Sequence, residues 1–153
     1  MKVLKLYNNE AQLIYKASKN HRDAQHALYK AHAPKMLSVC SYYIKDTQQA
    51  EEALLNGFFK VFKQIKSFKS QGSFEGWIRQ IMVHESISLL RKKKQLEFSA
   101  DDMELYDKPI NSDTTELDLE KIQLLINNLP EGYRIIFIMH AVEGYKHREI
   151  STL

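Results

Sequence analysis

The 153-residue sequence predicts an all-α protein. Two small helical modules, residues 1–94 and 118–153, are joined by an acidic flexible linker over residues 95–117. Three observations carry this. Only 3 prolines and 5 glycines interrupt the chain, and apolar residues recur at three- and four-residue steps along most of it. No hairpin signal and no internal repeat is present. Charge is sharply divided. Residues 1–94 carry 17 Lys/Arg against 7 Asp/Glu, residues 95–120 one lysine against 9 acids, and residues 121–153 are near balance.

The first amphipathic segment spans 9–19, with Asn9 as its N-cap. The second runs from Arg22 to Tyr43 and turns Leu28, Met36, Leu37 and Val39 inward. Pro34 lacks an N–H and clashes with the preceding turn, which predicts a kink or break near Ala33. Asp46 opens the clearest helix, with Gln49 three residues on as in a capping box. Ala50, Leu54, Phe58, Val61, Phe62 and Ile65 form a wide apolar stripe there. Glu51 and Glu52 suit the positive end of its dipole. "KSFKSQGS" reads as a loop, after which Ser73 caps a helix reaching Lys94. Phe74, Trp77, Ile78, Ile81, Met82, Leu89 and Leu90 are its apolar residues. Residues 95–117 lack sustained periodicity. Helix returns over about 117–127, and Pro130 with Glu131 starts another. A turn at Gly144 leads into a further helix begun by "KHREISTL".

Several function classes are excluded by what the sequence lacks. No signal peptide and no run of about 18 apolar residues is present, so a spanning helix is not expected. Cys40 is the lone cysteine, which favours a reducing, cytoplasmic setting. There is no phosphate loop, no GxGxxG and no HExxH. His140 and His147 are separated by the turn at Gly144, and His21, His26 and His32 do not share a helical face. No catalytic set, metal site, cofactor or small-molecule substrate is expected, and the chain reads as a non-enzyme. The basic first module favours a nucleic-acid partner, because cations beside phosphates release counterions. The plainer alternative is lysine that only solubilises helices.

The segment "SFKSQGSFEGWIRQIMVHESISLLRKKK", residues 67–94, sharpens that choice. Phe74 and Trp77 lie one turn apart, a spacing that usually means core. Phe68 sits in a basic loop between Lys66 and Lys69. An aromatic so placed can stack on an unpaired base, contributing roughly 1–3 kcal/mol; otherwise it is packing. One or two of the cations in "RKKK" match the helix dipole, and four exceed what the dipole asks. "LPEGYRIIFIMHAVEGYKHREISTL" has the form of a helix-turn-helix.

Two separated segments share one resemblance. "QQAEEALLNGFFKVFKQIKSFKSQGSFEGWIRQIMVHESISLLRKKK" resembles region 2 of bacterial RNA polymerase sigma factors of the extracytoplasmic-function type, in the version found in Bacteroidetes. "LPEGYRIIFIMHAVEGYKHREISTL" resembles the first part of their region 4. The resemblance implies a transcription initiation factor with two partners, core RNA polymerase and promoter DNA. An anti-sigma factor is the third partner to look for.

The polymerase-binding helix would carry Glu51, Glu52, Asn56 and Phe59, against the clamp coiled coil of the largest subunit. The loop capturing a flipped base of the −10 element would be Phe68, Lys69, Ser70, Gln71, Gly72 and Ser73. DNA contacts would follow from Trp77, Arg79, Gln80, His84, Arg91, Lys92, Lys93 and Lys94. Region 4 would bind the polymerase flap and the −35 duplex. The sequence departs from the family pattern at Leu55-Asn56, where Gln-Glu is usual. It departs again at His84, usually Asn, and at Ser88, often Asp. It also stops at Leu153, before the −35 recognition helix, so region 4 is expected to be truncated. The alternative expectation is a degenerate sigma-like interaction module that binds polymerase or a regulator without starting transcription.

Overall fold

A computed structural model describes the backbone of residues 2–97 and 119–153, with side chains over 9–94 and 119–153. The chain divides into two compact units, Met1–Lys94 and Gln95–Leu153. Every regular element among the described residues is helical.

Unit 1 contains α1 (Lys2–Ser18), α2 (Arg22–Tyr43), α3 (Thr47–Gln64) and α4 (Phe74–Glu97), with a 3₁₀ turn at Ile65–Ser67 between the last two. Leu28, Met36, Val39 and Tyr43 of α2 are buried. They meet Ala50, Phe58 and Val61 of α3 and Ile78, Met82 and Val83 of α4 in one apolar core. Each large apolar side chain so enclosed contributes about 1.5–3 kcal/mol relative to exposure. Asp46 caps α3 by accepting from the Gln49 N–H at 2.8 Å. Ser73 caps α4 by accepting from the Gly76 N–H at 3.0 Å.

Three expectations are corrected here. α1 begins at Lys2, so Asn9 lies inside the helix instead of capping it. Pro34 sits within α2 and does not end it. Its missing N–H removes one helix bond, and burial of Leu28 and Ala33 before it and of Met36 and Val39 after it holds both halves of the helix to the core. Leu37, Phe62 and Ile81, assigned to the apolar stripes, are only half-buried.

Unit 2 contains α5 (Leu119–Asn128), α6 (Glu131–Ala141) and the single turn α7 (His147–Ile150). Ile138 and Met139 are its buried apolar side chains, and Arg134 is buried beside them. Gly144 takes φ 77° in the turn between α6 and α7. Residues 98–117 of the acidic linker, with Asp118, lie outside the described residues, and its first residues, 95–97, continue α4.

Candidate nucleic-acid interface

The loop between α3 and α4 folds back on the helix that follows it. Phe68 closes the 3₁₀ turn through its N–H to the Ile65 carbonyl at 3.2 Å. Ser70 and Gly72 then take φ 55° and 95°, reversing the chain. Glycine reaches the left-handed region without penalty, whereas serine there carries a steric cost. The reversal delivers Phe68 to two rings of α4. Its centroid lies 5.2 Å from Phe74, edge to face, and 5.4 Å from Trp77. Phe74 and Trp77 stack at 5.7 Å. Phe74 is buried, while Phe68 and Trp77 are half-buried. Phe68 is therefore one member of an aromatic triad with part of its ring open, not an isolated ring on a loose loop. Lys69, Ser70, Gln71, Gly72 and Ser73 beside it are exposed.

α4 carries two faces. Ile78, Met82, Val83, Ser86, Ile87 and Leu90 point into the core. Ser86 satisfies its hydroxyl on the Met82 carbonyl at 2.8 Å. Gly76, Gln80, His84 and Ser88 recur every four residues on the open side, and the exposed Arg91, Lys92, Lys93 and Lys94 ring the end of the helix with positive charge. Trp77 and Arg79 flank the row, half-buried. Desolvation pushes the His84 imidazole below its ordinary value, and the Lys60 ammonium nearby pushes the same way. Lys60 itself pairs with Glu85, a buried carboxylate on α4.

α3 presents a different surface. Glu51, Glu52, Leu55, Asn56 and Phe59 are all exposed. Phe59 is 71% exposed and Leu55 58%, one helical turn apart. Two large apolar side chains left in water on one helix face, edged by carboxylates and an amide, form a surface suited to a protein partner.

The structure also joins residues that the sequence reading kept apart. His140 and His147 stack across the turn with centroids 4.3 Å apart. His140 Nδ1 lies 2.8 Å from the Tyr145 carbonyl and donates to it. Rings so stacked hold their lone pairs in parallel planes, which does not converge on a metal. Among the described residues, no group of three or more His, Cys, Asp or Glu is placed to hold one.

Three further pairs were overlooked: Glu10 with His32, Gly57 with Met82, and Lys60 with Glu85. Two had a visible signal. His32 continues the inward row of Leu28 and Met36 at four-residue steps, and Glu85 lies three residues beyond Met82 on the buried row. In unit 2, Tyr133, Ile136 and Phe137 are exposed. The N-terminus of α7 is capped by Glu149 Oε2, which accepts from the Lys146 N–H at 2.7 Å.

Residues 28–95 match the family model described as Sigma-70 region 2, and residues 119–153 match Sigma-70, region 4. Among curated proteins, the chain is 20% identical to the RNA polymerase sigma-H factor of Pseudomonas aeruginosa, over 94% of this chain and 81% of that one. It is 21% identical to the ECF RNA polymerase sigma-E factor of Haemophilus influenzae, over 92% and 81%. Among solved structures, it is similar to the sigma factor RpoE of Bartonella quintana in complex with the anti-sigma factor NepR. That match has TM-score 0.54 at 17% identity and covers 83% of this chain and 80% of that one. It is also similar to CnrH in complex with the cytosolic domain of CnrY, with TM-score 0.53 at 16% identity over 94% and 80%. At those identities the structural likeness is one of fold.

Proposed function

This chain belongs to the sigma-70 factors, in their extracytoplasmic-function group, and on that premise we propose how its surfaces divide the work of starting transcription. It binds core RNA polymerase and directs it to promoter DNA. Unit 1 recognises and opens the −10 element. The Leu55–Phe59 face of α3, with Glu51, Glu52 and Asn56, takes the clamp coiled coil of the largest subunit. Phe68 and Trp77 receive an unpaired base, with Lys69 to Ser73 around its sugar and phosphates. Gln80 and His84 lie where base edges pass, and Arg79, Arg91, Lys92, Lys93 and Lys94 neutralise phosphates. Residues 118–153 serve the flap and the −35 duplex, and 95–117 join the two modules. The role asks no catalysis of the chain and belongs in the cytoplasm, where polymerase and promoter meet. An anti-sigma factor is a further partner, a reading supported by the likeness to a sigma factor solved with one.

The observation that carries this reading is the aromatic triad. Two half-open rings stand beside an exposed loop carrying Lys69 and at the head of a helix that ends in four exposed cations. That arrangement combines base stacking with phosphate contact, the two needs of single-strand binding. Run-off transcription with core polymerase and a promoter library tests it. Promoter-dependent transcripts are expected. Core binding without transcripts from any promoter would make the chain a sigma-like interaction module instead.

A further inference from the structure

His32 and Glu10 make a contact that neither the family resemblance nor the promoter-binding surfaces account for. His32 lies on the inward face of α2 and is only 9% exposed. A buried imidazole needs a hydrogen-bond partner or it costs stability. Glu10 of α1 supplies one: its Oε1 stands 3.1 Å from His32 Nε2. A carboxylate only accepts, so the Nε2–H donates. That bond restrains the plane of the ring, which meets Phe74 in a T-shaped contact at 5.7 Å and 70°. Phe74 is 3% exposed, and its other ring neighbours are Phe68 and Trp77. A continuous line of contacts thus runs from α1 to the nucleic-acid face. Glu10 lies ahead of residues 28–95, the segment that matches region 2.

We propose that Glu10 and His32 position the base-binding aromatics: the carboxylate on α1 orients the imidazole on α2, and the imidazole sets where Phe74, Phe68 and Trp77 stand. This rests on the reading that Phe68 and Trp77 receive a base. His32 and Glu10 touch no DNA in this account; they act through Phe74. Edge-to-face rings hold each other in place only while both keep their orientation. Releasing His32 therefore loosens Phe74, and with it the two half-open rings.

The test uses the full chain, alone and assembled with core polymerase. Trp77 is the only tryptophan, so its emission reports the triad directly. The probe is a labelled pool of random single-stranded DNA. Glu10 sits at the rim, so Glu10→Ala tests the idea without opening a hole in the core. Glu10→Ala and His32→Ala should each shift Trp77 emission to the red. Each should also weaken DNA binding by the assembled polymerase, on the order of 10-fold, as expected for a misplaced stacking platform. Affinity for core polymerase should stay unchanged. Glu10→Gln keeps an oxygen acceptor at the same reach and should restore both signals. A lower unfolding midpoint in Glu10→Ala with unmoved Trp77 emission and DNA binding would show packing only and overturn the inference. Loss of DNA binding in Phe68→Ala but not in Glu10→Ala or His32→Ala would overturn it too, while keeping the function. No loss in any variant, Phe68→Ala included, would overturn the function and this inference together.

Discussion

Met82 occupies the space that a side chain at Gly57 would need. A Cβ built on Gly57 would lie 2.3 Å from Met82 Sδ and 2.9 Å from its Cε. Gly57 is thus a point of close approach between α3 and the Met82 side chain of α4, which a helix-interior glycine allows despite its lower helix propensity. Gly57→Ala should lower stability by about 1–3 kcal/mol, the usual cost of overpacking. The flexible thioether can move, which favours the lower end of that range. Combined with Met82→Ala, the loss should be smaller than the two single losses added, because the new methyl enters the space vacated. Urea unfolding of the two singles and the double measures this. Strict additivity would show that the two sites do not meet.

His84 should titrate below its ordinary value of 6.5, first because of desolvation and then because of Lys60. Neutral His84 therefore contributes stability that is complete above pH 6.5 and is lost as pH falls through the lowered folded value. Lys60→Gln should move the imidazole upward, since it removes one positive charge and leaves the Glu85 carboxylate without its partner. NMR titration of the His84 ring in both proteins tests this. An unmoved ring would sever the link to Lys60. DNA should favour the charged imidazole, so affinity should rise as pH drops below 6.5 and that rise should flatten in His84→Gln.

Phe68→Ala should impair open-complex formation by on the order of 10-fold while leaving core polymerase affinity nearly intact. Its ring touches Phe74 and Trp77, so some loss of stability is expected as well. The comparison that matters is between the two binding steps. Equal loss in open-complex formation and core binding would reduce Phe68 to a packing residue.

Replacing Lys92, Lys93 and Lys94 with Gln should lower DNA affinity and flatten its dependence on salt. Each lost phosphate contact removes roughly one unit from the slope of log affinity against log salt. All three are exposed on the end of α4. An unchanged slope would leave them as a helix end matched to its dipole.

The helices of unit 1 were readable because their signals are local. Asp46 caps α3 as its chemistry suggests, and the stripe from Ala50 to Ile65 is buried apart from Phe62. Pro34 does not break α2, because the rule against proline in a helix weighs one lost hydrogen bond and ignores the burial on either side. Phe74 and Trp77 could be paired from their spacing, but Phe68 could not be added to them. Its approach depends on left-handed backbone at Ser70, a residue that rarely adopts it. The turn at Gly144 could be read from the sequence, but the stack of His140 on His147 across it depends on how two helices meet, which periodicity does not give. Of the two candidate surfaces, the α3 face and the open row of α4 follow from helical periodicity once their helices are placed. The contacts behind them, Glu10 to His32 and Lys60 to Glu85, join different helices and needed the tertiary fold.

The four-residue recurrence of Gly76, Gln80, His84 and Ser88 on α4 bears on how such a chain can change over generations. Gln80, His84 and Ser88 face away from the core, so substitutions there should usually alter stability by only about 0.5 kcal/mol, whereas a Cβ at Gly76 would meet the capping Ser73 hydroxyl at 3.0 Å. The neighbouring positions 78, 82, 83, 86 and 87 have no such latitude, being buried. A lineage can therefore rewrite what this helix touches while its architecture stays fixed, and new preferences can arise without a stability threshold to cross.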